Sequence, residues 1–163
     1  MHYGAPKPEG AHCRIYQNLI MKEFYKDTSA KVYYLPDLDT LFLEYLGKVQ
    51  NDEHFIQINT AVLQSFRQLK TQKFVADIRK MGIIGVNSQK WVVEVLLPGM
   101  VEHLNGKTLF HAQLLDPNEI MAKVSGGNIK NRSSQTLDKL EMRQFTDAVE
   151  MNAFLKNWKE QKV

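Results

Sequence analysis

Residues Lys73 to Pro98 read KFVADIRKMGIIGVNSQKWVVEVLLP and predict a strand, a loop and an amphipathic helix in that order. The run from Phe74 to Ile78 is apolar except for Asp77, which is typical of a central strand buried on both faces. A loop punctuated by glycines follows, and it ends at Asn87 and Ser88. Because ligands and partners of α/β proteins usually meet the loops that leave the carboxyl ends of strands, we expect the functional surface to lie along this loop.

The helix after the loop is expected to have Ser88 as its cap, because the serine hydroxyl can accept a hydrogen bond from a free backbone N–H of the first turn. Its buried stripe is expected to consist of apolar residues at helical spacing, which are Trp91, Val92, Val95 and Leu96. Pro98 and Gly99 are expected to end or kink the helix, because proline lacks the N–H that a helix needs.

Upstream of this stretch, the sequence predicts a β-hairpin followed by a helix. Two runs of alternating residues, Lys31 to Leu35 and Thr40 to Leu46, flank a turn that begins at Pro36. A weaker strand, Asn18 to Tyr25, precedes them. Asn51 offers a helix cap, and residues of one helix face then recur at steps of three and four, namely Phe55, Ile58, Asn59, Val62, Phe66 and Leu69.

Downstream, two further strands and two helices are predicted. Thr108 to Leu115 and Leu140 to Phe145 read as strands. A short helix is expected to start at Pro117, which suits a first helical position, and a polar loop from Ser125 to Ser134 follows. Thr146 is expected to cap a final helix with an inner face of Ala148, Met151, Leu155 and Trp158. Together these elements predict an α/β fold, a single-domain mixed β-sheet of about five strands with helices packed on it.

Composition bounds the class of protein. With 163 residues, 44% apolar residues and a net charge of +3, the chain is expected to hold one globular domain that does not bind nucleic acid. Residues 1–15 read as a flexible leader, because they lack the apolar core of a signal peptide, and residues 16–163 read as the domain. Cys13 is the single cysteine, which fits a reducing cytoplasm. No run reaches the roughly 18 apolar residues of a membrane helix, so no membrane association is expected.

The sequence offers no set of residues typical of catalysis or metal binding. Gly106-Lys107-Thr108 looks like the end of a phosphate-binding loop, but a helix precedes it and a strand follows it, which reverses the order that the motif requires. Basic residues around Gly126 and Gly127 could hold a phosphate, although a solvated surface loop is the simpler interpretation. The histidines are not spaced as metal ligands. We therefore expect no enzyme activity, no cofactor and no metal.

The candidate binding residues are Asp77, Arg79, Asn87, Ser88 and Trp91. A buried carboxylate needs partners, so Asp77 either fixes the following loop by accepting its backbone N–H groups or organises a recognition surface. Arg79 shares its face in an extended chain. Ser88 is interpreted as a helix cap or, alternatively, as a phosphorylation site at a helix start, where an anion is favoured. Trp91 is interpreted first as a core residue.

This pattern resembles the SpoIIAA-like branch of the STAS superfamily, named for sulfate transporters and anti-sigma-factor antagonists, and is similar to small bacterial proteins of that type. The residues that carry the resemblance are Leu43-Glu44-Tyr45-Leu46-Gly47, the strand from Phe74 to Arg79 and the helix from Gln89 to Pro98. The resemblance implies a mixed sheet with helices largely on one side. It also implies protein–protein regulation or small-ligand sensing, without catalysis.

The resemblance further suggests where a regulatory switch would lie. In anti-sigma-factor antagonists, a partner kinase phosphorylates a serine after the central strand, in an Asp-Ser-Ser-Gly-like context. The corresponding residues here are Gly85 to Gln89, which lack the acid and the following glycine, and Ser88 is the nearest serine. The resemblance therefore transfers the loop as an interaction surface and leaves the phosphorylation of Ser88 as a separate hypothesis.

Two functions follow as the main hypotheses, and an enzyme whose catalytic residues are dispersed along the sequence is a third. The first is a non-enzymatic regulatory or protein-binding module of STAS type in the cytoplasm. The second is a small-molecule carrier or sensor with a pocket for a small apolar ligand between the sheet and the helices. Adaptable methionine side chains suggest the pocket, although core packing is the alternative use of these residues, which are Met81, Met100, Met121, Met142 and Met151. A homodimer formed through the edge of the N-terminal strands is a further expectation.

Overall fold

One mixed sheet of six strands forms the centre of the molecule, and the strands lie in space in the order in which they occur in the chain. The computed structural model describes residues 21–118, 127–132 and 137–160. The strands are β1 (Lys22–Lys26), β2 (Ala30–Leu35), β3 (Thr40–Tyr45), β4 (Lys73–Asp77), β5 (Leu109–Leu114) and β6 (Leu140–Phe145). The expected α/β fold with a mixed sheet is confirmed; the sheet has six strands, against an expected total of about five, and each overlaps a run that the sequence predicted as a strand.

The antiparallel strands lie at one side of the sheet, as the hairpin pattern predicts. β1 pairs with β2 and β2 with β3 in antiparallel orientation, and a 3-10 turn at Pro36–Leu38 joins β2 to β3. From β3 to β6, neighbouring strands are parallel. Parallel neighbours need crossover connections, so β3, β4 and β5 end at the same edge of the sheet, which we name the carboxyl edge.

Within the described residues, helices connect and cover these strands. They are α1 (Asp52–Phe66), α2 (Val86–Trp91), α3 (Leu97–His103), a short α4 over residues 127–132, and α5 (Ala148–Asn157). α1 begins as expected, because the Asn51 side chain accepts a hydrogen bond from the His54 backbone N–H. The expected cap of α5 at Thr146 is wrong by one residue, because the Asp147 carboxylate accepts hydrogen bonds from two N–H groups of the first turn.

Several expectations fall on the loop after β5 and on the N-terminus. The segment from Ser125 to Ser134 was expected to be a loop, but it is helical over 127–132. The short helix expected after Pro117 and the leader at residues 1–15 lie outside the described residues, as does the beginning of the expected strand at Asn18. That strand is present as β1, with later bounds than predicted.

The helix after β4 continues through Pro98, where the sequence predicted an end or a kink. Between α2 and α3 the chain forms a π-helical turn at Val92–Leu96, in which the Leu97 N–H donates to the Val92 carbonyl. In a regular α-helix the proline ring would collide with the carbonyl one turn earlier; here Pro98 lies in the first turn of α3, directly after the wider π-helical turn. Val95, which was expected to be buried, lies in the π-helical turn and is 40% exposed.

The helices cover both faces of the sheet and create two separate cores. The front core packs α1, the π-helical turn and α3 against the sheet, and its buried side chains include Phe66, Phe74, Leu96, Leu97 and Met100. The back core lies under α5 and contains Phe42, Val75, Phe110, Ala112, Leu114, Phe145, Met151 and Leu155. The resemblance implied helices largely on one side, and the described helices agree, since α1 to α4 contribute to the front core and α5 to the back core, where the parallel strands are also apolar.

A buried lysine ties α5 to the central strand. Lys73 Nζ donates a hydrogen bond of 2.7 Å to the Leu155 carbonyl in the last turns of α5. Burial lowers the pKa of Lys73, while the negative end of the helix dipole favours a cation at this position. This hydrogen bond and the back core together hold α5 against β4.

Candidate functional site

The residues that the sequence singled out lie near the carboxyl edge, but the sheet divides them into two groups. Asp77 and Arg79 lie on the back face, in a groove beside α5. Ser88 lies on the front side, against the start of α1. Asn87 is exposed, and Trp91 is only partly buried, packing on the margin of the front core. These residues therefore form two separate sites, although the sequence predicted one surface.

On the back face, Asp77 and Arg79 form a bidentate ion pair. Asp77 Oδ1 accepts hydrogen bonds from the Arg79 backbone N and Nε at 3.2 and 2.9 Å, and Asp77 Oδ2 accepts one from Nη2 at 2.7 Å. These hydrogen bonds raise the pKa of Arg79. Asp77 thus accepts a backbone N–H of the loop that follows it, which is the structural role that the sequence suggested for this buried acid.

Two residues that the sequence interpretation missed lie beside this ion pair. A groove of about 170 Å³ brings Tyr33 and Glu44 next to Asp77 and Arg79. Tyr33 Oη donates to Glu44 Oε2 at 3.2 Å, and burial, followed by the Glu44 charge, raises the pKa of Tyr33. Glu44 is the direct neighbour of Asp77 in the β3–β4 register. The sequence did carry a signal for this groove, because each of the two predicted strands has an acidic residue near its end.

The groove combines polar side chains with an apolar floor. Its remaining polar lining residue within the described part of the chain is Asn152, and its floor is formed by apolar side chains such as Phe42 and Leu114. The lining therefore offers hydrogen-bond donors and acceptors, and its titratable side chains among the described residues are Tyr33, Glu44, Asp77 and Arg79.

On the front side, Ser88 is buried and does not cap the helix. The N-cap is Gly85 and α2 begins at Val86, so the expected cap is wrong. Ser88 is 1% exposed, and its hydroxyl donates a short hydrogen bond to the Asp52 carboxylate. A Cβ on Gly85 would lie 2.8 Å from Asp52 Oδ1, so this carboxylate of α1 also lies against the residue that precedes α2. Phosphorylation of Ser88 stays a prediction, and this burial opposes it.

The segment that joins β4 to α2, residues 78–85, has an inner and an outer side, and we name it the β4–α2 loop. Ile78, Met81 and Ile84 are buried in the front core. In contrast, Ile83 is 66% exposed, and Val86 at the start of α2 is 69% exposed. Ile83 also lines a cleft of about 320 Å³ that extends to the start of α1. Neighbouring exposed apolar side chains beside a cleft are typical of an interaction site.

A cavity of about 30 Å³ lies between the sheet and the front helices. Most of its lining is apolar, but four polar side chains take part, which are Tyr45, Asn59, His111 and Gln113. The methionines do not gather around it: Met81 lines the cavity, Met100 belongs to the front core and Met151 to the back core. Met121 lies outside the described residues.

A third polar cluster joins the β1–β2 turn to α1. Asp27 accepts hydrogen bonds from Tyr25 Oη at 2.6 Å and from the backbone N–H groups of Ser29 and Ala30 at 2.7 and 2.8 Å. Its other contact is His54 Nε2 at 2.8 Å. Burial alone would raise the pKa of Asp27, but these hydrogen bonds outweigh it and lower the pKa to about 2.

This cluster predicts a loss of stability in acid. The pKa of Asp27 is about 2 in the folded state, below its ordinary value of 3.8, so its contribution to folding stability is complete well above pH 3.8 and is lost as pH falls toward 2. Because the group is partly exposed, we expect a contribution of roughly 1 kcal/mol. Urea unfolding of the wild type and Asp27→Asn at several pH values checks this. Equal acid dependence of both proteins would contradict it.

Comparisons of the chain with protein-family models, curated proteins and solved structures find no match. Within the described residues, no helix has the length and apolar character needed to cross a bilayer. In the same part of the chain, histidine, cysteine and acidic side chains form no group of three or more that could hold a metal ion. The case for a function therefore depends on the geometry of the surfaces and cavities described above.

Proposed function

We propose that this chain is a non-enzymatic regulatory module of STAS, SpoIIAA-like type that binds a protein partner through the β4–α2 loop in the cytoplasm. The observation that carries the proposal is the exposure of Ile83 and Val86, at 66% and 69%, beside a cleft at the carboxyl edge. Exposed branched side chains contribute nothing to the core of this chain. They do supply the apolar centre that a protein interface needs.

The surroundings of the loop indicate the chemistry of the partner. Lys48 lies over the loop, with its Cγ 3.2 Å from the Cβ position of Gly82. Lys80 within the loop and Lys90 on α2 are both exposed. An apolar side chain of the partner would enter the cleft, and acidic side chains around it would meet these lysines. The proposed partner is therefore a protein segment with an apolar anchor between acidic residues.

Replacing both exposed side chains, Ile83→Asp and Val86→Asp, is expected to weaken partner binding at least tenfold. Each change places a carboxylate where the partner's apolar anchor and acidic residues would lie. A photo-crosslinking residue at Lys80 identifies the partner in cells, and titration with the purified partner measures the affinity. Folding stability should change by no more than about 0.5 kcal/mol, since both positions are exposed.

Val149→Asp provides the matched control, because Val149 is 79% exposed on α5, away from the loop. A partner that wild type and Val149→Asp bind equally, and the double variant does not, supports the proposal. A crosslinked partner with unchanged affinity for the double variant would contradict it. So would a substrate turned over by the purified chain with no partner recovered.

The front cavity favours a second candidate function, a small-molecule carrier or sensor. The observation that supports this candidate is the position of the cavity between the sheet and the front helices. Native mass spectrometry of the purified chain tests this candidate directly: a copurifying small molecule supports it, and an unliganded mass under gentle conditions counts against it.

The proposed homodimer through β1, which forms one edge of the sheet, predicts a doubled mass in light scattering.

A further inference from the structure

The front cavity collects buried side chains whose hydrogen-bonding groups are not all used. Tyr45, Asn59, His111 and Gln113 line it, and each is at most 3% exposed. A buried donor or acceptor without a partner destabilises the fold, because it loses its hydrogen bond to water and gains none. Such groups are uncommon in folded proteins and call for an explanation. Here four residues with incomplete hydrogen bonding face one space, which points to a polar occupant.

His111 presents an acceptor to this space. Its Nδ1 lies 3.1 Å from the Phe74 carbonyl, and a carbonyl can only accept, so Nδ1 carries the proton. Burial lowers the pKa of His111 to about 4 against the opposing effect of that hydrogen bond, so the ring is neutral at pH 7. Nε2 therefore has a lone pair, and no donor among the described residues meets it.

The other three side chains add donors and an acceptor. Gln113 Oε1 accepts from Gln144 Nε2 at 3.0 Å, while the amide N–H groups of Gln113 meet no acceptor in the described part of the chain. Asn59 Nδ2 donates to Tyr45 Oη at 3.1 Å and to the Phe55 carbonyl at 3.0 Å. This leaves Asn59 Oδ1 without a donor and the Tyr45 hydroxyl proton without an acceptor among the described residues.

We propose that the front cavity is a binding site for a small neutral molecule with an apolar body and a hydroxyl group, which donates to His111 Nε2. The ligand is neutral because the described lining carries no charged side chain at pH 7. A hydroxyl group fits because it both donates and accepts, and the lining offers both kinds of group. The apolar body is required by the remaining lining, which includes Leu43, Ile78, Val92, Leu96 and Ile129.

The β4–α2 loop is the element that makes room for such a ligand. At about 30 Å³ the cavity admits water-sized molecules, so a larger body must displace side chains. Met81 and Ile84 line the cavity from this loop, and the flexible methionine can adapt to a ligand. The exposed Ile83 directly precedes Ile84 in the chain. A ligand that moves Ile84 would therefore also move Ile83 on the partner-binding surface; this last step rests on the proposed function.

The test uses phenol and toluene, which have similar shapes and differ in the hydroxyl group, with the full chain in solution. Wild type is expected to bind phenol about tenfold more tightly than toluene, the equivalent of one hydrogen bond. Phenol should also shift the His111 Nε2 resonance in ¹⁵N NMR and the amide resonances of Met81 to Val86. His111→Phe keeps a ring against Phe74, where the two rings now stack at 4.6 Å, and should bind both probes equally.

The outcomes separate the parts of the proposal. Equal affinity of wild type for the two probes, or an unchanged Nε2 resonance with phenol bound, would overturn the role of His111. Absence of binding up to the solubility of both probes, with bound water detected beside His111, would overturn the ligand site and leave a hydrated cavity. The Nε2 measurement uses wild type, so it decides the question even if His111→Phe fails to fold. Loss of the protein partner would leave these results unaffected.

Discussion

Replacing Ser88 by glutamate is expected to lower the free energy of unfolding by about 3–5 kcal/mol. Ser88 is 1% exposed, and its hydroxyl donates to the Asp52 carboxylate. Glutamate would lose this donor and place a second carboxylate against the first in a site closed to water. A phosphate group on Ser88 would also place negative charge against Asp52, and it carries more charge and more volume than glutamate. Urea unfolding at pH 7 measures the loss.

Two further variants make this prediction specific. Asn87→Glu adds the same charge one residue earlier, at an exposed position in the first turn of α2, and should change stability by no more than about 0.5 kcal/mol. Ser88→Ala removes only the hydroxyl and should cost about 1 kcal/mol. If Ser88→Glu is as stable as Asn87→Glu, the burial of Ser88 is incorrect. Phosphorylation at this serine would then be compatible with the fold.

Replacing Phe110 by alanine is expected to cost about 3–5 kcal/mol of folding stability. Phe110 is 0% exposed on β5, at the centre of the back core. The rings of Phe154 and Trp158 lie over it at centroid distances of 5.3 and 5.2 Å. The change removes the side chain on which the end of α5 packs, so α5 should also lose protection from hydrogen exchange before the rest of the chain.

Phe154→Ala is the comparison for this variant. Phe154 belongs to the same aromatic cluster but is only partly buried, so its loss should cost about 1–2 kcal/mol. Chemical unfolding of both variants, with exchange measured for α5 and α1, checks the prediction. Equal losses, or reduced protection of α1 in place of α5, would show that Phe110 does not hold the back core together.

Local patterns predicted the regular elements well. The hairpin around Pro36 and the buried strand from Phe74 follow from alternation and from a continuous apolar run, which report directly on which faces are buried. The cap at Asn51 follows because its partner, the N–H of His54, is close in sequence. The cap at Ser88 failed because α2 already begins at Val86, so Ser88 lies within its first turn, where its hydroxyl donates to Asp52 of another helix. Rules that consider only residues close in sequence cannot predict a contact between residues 36 positions apart.

In the candidate sites, too, contacts between residues close in sequence were predictable and contacts between distant elements were not. The Asp77–Arg79 pair was predictable, because residues two apart in a strand share a face. The groove beside it depends on the β3–β4 register, which brings Glu44 next to Asp77, and the front cavity depends on how the front helices pack over the sheet. Pro98 was misjudged for a related reason: a π-helical turn accommodates it, and the sequence pattern does not distinguish that turn from a helix end.

The order of the strands has a consequence for biosynthesis. Each strand lies beside the one made just before it, so the sheet can extend at a single edge as the chain leaves the ribosome. The front face is covered during this growth, by α1 and α3. Among the described elements, the helix that packs on the back face, over Phe42, Val75 and Phe110, is α5, which is synthesised after β6. The nascent chain therefore exposes an apolar surface through most of its translation, and a ribosome stalled before Ala148 would present it to chaperones.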